Sequence, residues 1–165
     1  MSAAEKLQNP LLDKRLINSF VDGVASTLQT MANTPVTFGK PFVEPKFAAR
    51  GEIAGVVGMV SHDWKATLTL SFPKPAILSI LENMLGEKFT DITDEVHDAV
   101  GELTNMIYGS AKGSLNDMGY NFEMAIPTVI KGQFIMLQHT KSATLVIPFK
   151  LTQQNAEFFI EISVS

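Results

Sequence analysis

Cysteine is absent from this 165-residue chain, which excludes disulfides, thiolate nucleophiles and thiolate metal ligands. An excess of positive charge is missing too. Lys and Arg number 13 against 17 Asp and Glu, a formal net charge of −4, and no basic cluster marks a nucleic-acid surface. Long apolar runs are lacking: the longest, over 53–60, is far shorter than the about 20 residues that a membrane-spanning helix needs. Nothing at the start resembles a charged-then-apolar leader, so the expected location is the cytoplasm, with no membrane partner. The sequence has no GxxxxGK[ST], GxGxxG or HExxH, and His62, His97 and His139 are scattered, so neither a nucleotide loop nor a metal site is expected. Ser71 and Ser79 lack the sharp strand-to-helix turn of a hydrolase nucleophile.

What is present is the composition of a folded globular protein, with 45% hydrophobic and 18% charged residues, and enough length for one domain over 1–165. A polar lead-in over 1–10 precedes an amphipathic helix over 11–31, in which Leu12, Leu16, Phe20, Val24 and Leu28 recur at helical spacing. Strands are expected over 36–43, 51–61 and 66–72, the last alternating so regularly that only one of its faces should be buried. His62-Asp63 supplies the turn before it. A short helix over 73–85 stops at Gly86, and a long one over 91–118 begins in the acidic cluster Asp91, Asp94 and Glu95, which suits the positive end of a helix dipole. Strands follow over 122–131, 133–139, 143–149 and 157–164, with Pro148 placing its strand at an edge or ending it. Trp64 is expected to pack on the sheet, and Met31, Met59, Met106 and Met118 to fill the core.

Gly23, Ala25 and Pro41 match Gly109, Ala111 and Pro127 at a constant offset, and the strand at 66–72 matches 157–163 at a slightly larger one. The chain therefore reads as two related halves, about 11–72 and 91–164, joined by a linking helix over 73–86. The expected fold is α/β in an α+β layered form, with pseudo-symmetric helix-plus-three-strand halves. A mainly antiparallel sheet carries two long helices and the short linker. Its apolar strands need their edges covered, so pairing across a homodimer is expected.

The long helix is where the polar chemistry collects. Asp98, Glu102 and Asn105 share one face, while Val96, Val100, Leu103, Ile107, Ala111, Leu115 and Met118 share the other. Most polar stripes are simply solvated. Asn, however, competes with the helix backbone for hydrogen bonds, and Glu or Lys would serve solvation better. Gly101, Gly109 and Gly113 add a further cost of about 1 kcal/mol each relative to Ala, which close approach of another body or of the sheet would explain. A carboxamide held between Glu102 and Gly109 can accept from a water and donate to an anion together, which suits hydrolysis of an acyl or phosphoryl group. In the first half the corresponding positions are Leu12, Leu16 and Ser19, an apolar version of the same face that should be buried.

Asp98, Glu102, Asn105 and Pro127, within GELTNMIYGSAK and its flanks, resemble the motif of the CheC, CheX and FliY family of chemotaxis phosphatases, and most closely its CheX branch. That motif runs Asp or Ser, three residues, Glu, two residues, Asn, then about twenty-one residues to a Pro, as it does here. The resemblance implies a phosphatase whose substrate is the aspartyl phosphate of a CheY-like response regulator. Glu102 would pair with the regulator's lysine and Asn105 would orient the attacking water, while Asp98, Gly109, Lys112 and Pro127 support or bind the partner. It implies no cofactor on this chain, Mg²⁺ arriving with the regulator, and a homodimer. Tyr108 and Ser110 depart from the family pattern beside the motif and bear on partner preference. The alternative is a non-catalytic module docking on a response regulator or a flagellar switch component.

Overall fold

The computed structural model describes residues 13–45, 50–62, 64–123, 125–132 and 143–164. The expected lead-in over 1–10, Leu12, Asp63 and the strand over 133–139 lie outside them. Among the described residues are three helices, α1 (Lys14–Ala32), α2 (Lys74–Leu85) and α3 (Asp94–Asp117). Seven strands accompany them: β1 (Val36–Phe38), β2 (Phe42–Glu44), β3 (Ile53–Val60), β4 (Lys65–Phe72), β5 (Thr128–Lys131), β6 (Thr144–Leu151) and β7 (Glu157–Val164). They form one sheet in the order β1-β6-β7-β4-β3-β5, with β2 also on β6, and every pairing is antiparallel. The α+β layering read from the sequence is the observed one. No described helix is long and apolar enough to cross a membrane.

The sheet is laid out pseudo-symmetrically. The hairpins β3–β4 and β6–β7 meet at the central β4–β7 pair, and each is flanked by a short strand from the other half: β5 lies on β3, and β2 lies on β6. Each half thus completes the other's edge. One core lies under the helices, where Phe20 and Leu28 of α1, Ile77 and Ile80 of α2, and Val100 and Leu103 of α3 meet Leu68, Leu70 and Ile160 of the sheet. Phe72, Phe158 and Phe149 stack across β4, β7 and β6 with centroids 5.3 and 5.1 Å apart. Full burial of a side chain of this size contributes about 1.5–3 kcal/mol.

Caps fix the ends of the helices. The Asp13 carboxylate accepts from the Arg15 N–H at the start of α1 and from the Tyr120 hydroxyl at 2.5 Å, joining α1 to the segment after α3. Burial works to raise the Asp13 pKa, but the hydrogen bonds from Tyr120 and Arg15 and the Arg15 charge outweigh it and hold the carboxyl below its ordinary value. Asn33, in the left-handed region, ends α1, and Gly86 ends α2. Thr93 caps α3, with Asp94 and Glu95 in its first turn.

The segment read over 36–43 is divided into two strands, β1 and β2, where Gly39 and Pro41 interrupt it. Two expectations need correction. Pro148 neither ends β6 nor lies on an edge strand: β6 runs on to Leu151 between β7 and the β1/β2 pair. The donor it lacks is tolerated because Pro148 lies opposite that same break, where its carbonyl accepts from Gly39 N–H at 2.8 Å. Finally, β4 is buried on both faces, since Thr69 and Ser71 are inaccessible as well as Leu68 and Leu70. Among the methionines, Met59 is buried, but Met31 is exposed.

The second sheet face holds an acid. Glu161 of β7 is fully buried, and among the described residues neither carboxylate oxygen has a hydrogen-bond partner of good geometry. The Arg50 guanidinium lies 3.7 Å away, pairs also with Glu44, and sits over the rings of Phe42 and Phe159 at 5.6 and 5.7 Å. Burial pushes the Glu161 pKa up from 4.5 to about 7, against the opposing pull of Ser71 and Arg50.

Two measurements test this packing. Between pH 4.5 and about 7 the folded chain retains a Glu161 proton that the unfolded chain has released, so stability contributed by this group falls as pH rises through that window. Glu161→Gln should therefore gain on the wild type between pH 5 and pH 8 by on the order of 1–3 kcal/mol in urea unfolding. A gap that is constant with pH would contradict the assignment. Gly55→Ala should lower stability by about 1–3 kcal/mol, since the new Cβ would lie 2.8 Å from the Thr104 Cβ and closer still to its hydroxyl.

Candidate functional site

The orientation of α3 is set from beneath. Thr104 is fully buried, donates to the Val100 carbonyl at 2.7 Å, and rests on the bare backbone of Gly55 in β3. Gly23 of α1 lets the backbone of Ile107 come within 3.3 Å of where its Cβ would stand. With Thr104 turned inward and successive residues about 100° apart around the axis, Asn105 turns outward. The apolar face read from the sequence is the buried one, with Val96, Val100, Leu103, Ile107, Ala111 and Leu115 all inaccessible.

On the opposite side Asp98, Glu102, Asn105 and Gly109 are all exposed, with Lys112 half-buried. Asp98 is exposed, with His97 Nδ1 3.7 Å from its carboxylate. Glu102 and Asn105 are i, i+3 neighbours, which places their Cβ atoms about 5–6 Å apart. A Cβ at Gly109 would meet nothing within 4 Å, and the same holds at Gly113. Only Gly101 of the three helical glycines faces the chain's own sheet, with Val129 at 3.4 Å. The clearance at Gly109 is therefore open to solvent.

Beside the helix runs a segment that the sequence reading took for strand. Residues 122–123 and 125–127 are not in the ladder, which begins only at Thr128. They are tethered instead. Asn116 accepts from Phe122 N–H at 2.6 Å and donates to its carbonyl at 3.0 Å, the Tyr108 hydroxyl donates to the Glu123 carbonyl at 2.7 Å, and Glu123 N–H donates to Val60 at 2.9 Å. Tyr108 is thus a buried strut and not a surface departure; burial, then the Glu123 charge, raises its pKa. Its ring still borders the floor of a shallow cleft of about 160 Å³ formed by Asn105, Tyr108, Gly109, Lys112 and Ala125. Pro127 is half-buried at the start of β5, where it turns the tethered segment into the ladder and does not shape a strand interior.

The arrangement brings Asn105, Gly109 and Lys112 into one cleft, with Glu102 one turn before it, Pro127 close by along the tethered segment and Asp98 further out on the helix. Leu16 and Ser19 in α1 are buried, as the apolar version of this face should be. Among the described residues no group of three or more His, Asp or Glu side chains could hold a metal. Such a site can present a neutral amide and a carboxylate to another body, but it encloses no small molecule. Sequence reasoning missed the Tyr108 tether; Asn121, with its positive φ of 58°, was the local signal that the chain turns before running on.

The structure supports a comparison with known proteins. The family model described as "Chemotaxis phosphatase CheX" matches residues 53–150. A curated relative, the CheY-P phosphatase CheX of Thermotoga maritima, is 23% identical over 93% of this chain and 97% of its own. A solved CheC-like superfamily protein from Shewanella sp. PV-4 is 37% identical, with a TM-score of 0.84 over 93% of this chain and 99% of that one. The CheX of Borrelia burgdorferi, solved as a CheX–CheY–BeF3–Mg²⁺ complex, is 21% identical with a TM-score of 0.75, covering 90% of this chain and 96% of that one.

The two open glycines give a separable test. Gly109→Ala and Gly113→Ala should each stabilise the fold, by up to about 1 kcal/mol, because neither new methyl meets a neighbour and both relieve a helix of glycine. Thermal unfolding of the two variants checks this; a loss of stability at either position would show that the apparent clearance is filled.

Proposed function

The chain belongs to the chemotaxis phosphatase CheX family, and on that premise we propose that it hydrolyses the aspartyl phosphate of a CheY-like response regulator. The observation that carries the reading is the exposed pair Glu102 and Asn105 on a helix whose opposite face is locked into the core, beside the open position at Gly109. The name of the Thermotoga relative and the regulator bound in the Borrelia complex support the same partner.

The division of labour follows from charge. A carboxylate is repelled by a phosphoryl group, so Glu102 belongs on a cation, the regulator's lysine, where it fixes docking. The Asn105 amide is neutral and can approach the phosphorus. It accepts a hydrogen bond from a water and holds that water in line with the bond to be broken. The water oxygen then bonds to phosphorus as the P–O bond to the aspartate breaks. Free carboxylate and inorganic phosphate leave, the water proton going to phosphate. Mg²⁺ is the regulator's contribution, offsetting phosphoryl charge on that side of the interface, and no ligand for it is required here. Asp98 and Lys112 bracket the pair as docking charges, Gly109 leaves room for the partner's backbone, and Pro127 holds the flanking segment.

We place the protein in the cytoplasm with its regulator and expect it to pair with a second copy. Support for pairing comes from the β1/β2 edge, where Phe38, Phe42 and Val43 are exposed on strands that pair, among the described strands, with β6 alone.

The decay of a phosphorylated CheY-like regulator, followed with and without this chain, tests the reading. Asn105→Ala should lose about 10²-fold or more in kcat with little change in KM, because it removes a group that acts on the attacking water. Glu102→Ala should chiefly raise KM. Binding without acceleration by the wild-type chain would leave a docking module in place of an enzyme.

A further inference from the structure

Ile126 is 91% exposed, whereas the other exposed large hydrophobic side chains run from 37% to 55%. A single apolar residue on a surface is ordinary. Its setting is not. Ala125, the residue before it, lines the cleft with Asn105 and Gly109, and Val129, three residues after it, touches Gly101. The segment therefore runs antiparallel to α3 past the polar stripe, and Ile126 lies in the interval beside Asn105. It is also held there, by Tyr108 and Val60 at Glu123 upstream and by the β5–β3 ladder downstream. An apolar side chain fixed in water at that place is pre-organised for contact, because little backbone freedom remains to be lost on binding. It stands at the β5 end of the sheet, away from the β1/β2 edge with Phe38, Phe42 and Val43, so that edge can pair independently.

We propose that Ile126 is the apolar anchor of the docking surface, packing on an apolar patch of the response regulator beside its acyl-phosphate pocket and setting affinity and partner choice, while Glu102 and Asn105 act inside the pocket. The inference rests on the phosphatase reading for its partner. Physically, the two kinds of group divide the work. The polar stripe loses hydration when it docks, and ion pairs at an exposed surface contribute little net affinity. Burial of one isoleucine supplies affinity without placing another charge near the phosphoryl group.

The test uses a CheY-like regulator phosphorylated by a small acyl phosphate. Wild type, Ile126→Ala and Ile126→Asp are compared by kcat and KM, and Ile126→Ala is also introduced into the Asn105→Ala chain for direct binding. Ile126→Ala should raise KM about tenfold or more, and Ile126→Asp further, with kcat within about twofold. Binding of the Asn105→Ala chain should weaken by the same factor. Thermal stability should be unchanged, since the side chain is 91% exposed. Unchanged KM and binding in both variants, with Asn105→Ala still slow, would overturn the anchor and leave the phosphatase reading intact. No acceleration by the wild type would remove the phosphatase reading, and the binding arm would still decide the anchor. A shift in self-association with KM unchanged would assign Ile126 to contact between copies and overturn the proposal.

Discussion

The arrangement depends on one contact, the seating of Thr104 against Gly55. No side chain at position 55 could coexist with the Thr104 hydroxyl and Cβ where they stand, so β3 carries a gap and α3 drops into it. Thr104 has its own hydroxyl satisfied by the Val100 carbonyl and so enters the interior without leaving a donor unpaired. This contact fixes the height of the helix above the sheet and its rotation about its own axis. Rotation matters most, because a turn of one residue position would carry Asn105 toward the sheet and bring a buried leucine or tyrosine outward.

The face of α3 was legible in the sequence because helical period is a strong signal over a long element. The positions read as buried from Val96 to Leu115 are inaccessible, and Asp98, Glu102 and Asn105 are exposed. A few matched positions suggest two halves, and the way β5 lies on β3 and β2 on β6 is a topological feature that spacing could not supply. Less legible was anything decided by a neighbour distant in sequence. Thr69 and Ser71 alternate with leucines as a half-exposed strand should, yet the chain at Arg50 crosses that face, where its N–H reaches the Ser71 hydroxyl at 3.4 Å. Pro148 reads as a terminator until the break between β1 and β2 is seen opposite it. The stretch over 122–127 has strand-like composition, and what keeps Phe122 and Glu123 out of the ladder is a set of hydrogen bonds to Asn116, Tyr108 and Val60.

Tyr108 links these levels. Seen beside the motif in sequence, it looks like a change in the docking face. In the fold its ring is buried and its hydroxyl ends on the Glu123 carbonyl, so it converts the rotation of α3 into the position of the neighbouring segment. The cleft at Asn105 has α3 as one wall and Ala125 as the other, and both walls are set from the same buried ring. A substitution at this position would therefore reshape the cleft through the placing of its walls.

Stability of the site helix comes from elsewhere in the molecule. Three glycines, an outward asparagine and no basic residue in its last turn make α3 a poor helix in isolation. Propensity alone would not hold it; the buried stripe of valine, leucine and isoleucine does. That trade suits a group whose work is positional. A side chain presented to another body is positioned best when it does not move on contact, and the rigidity of the α3 face is that of the core beneath it, since its own exposed side can be given over to clearance. Gly109, Gly113 and Asn105 lie on the side of α3 where packing places no demand, Gly101 alone meeting the sheet at Val129, and their cost is offset on the side where Thr104 meets Gly55.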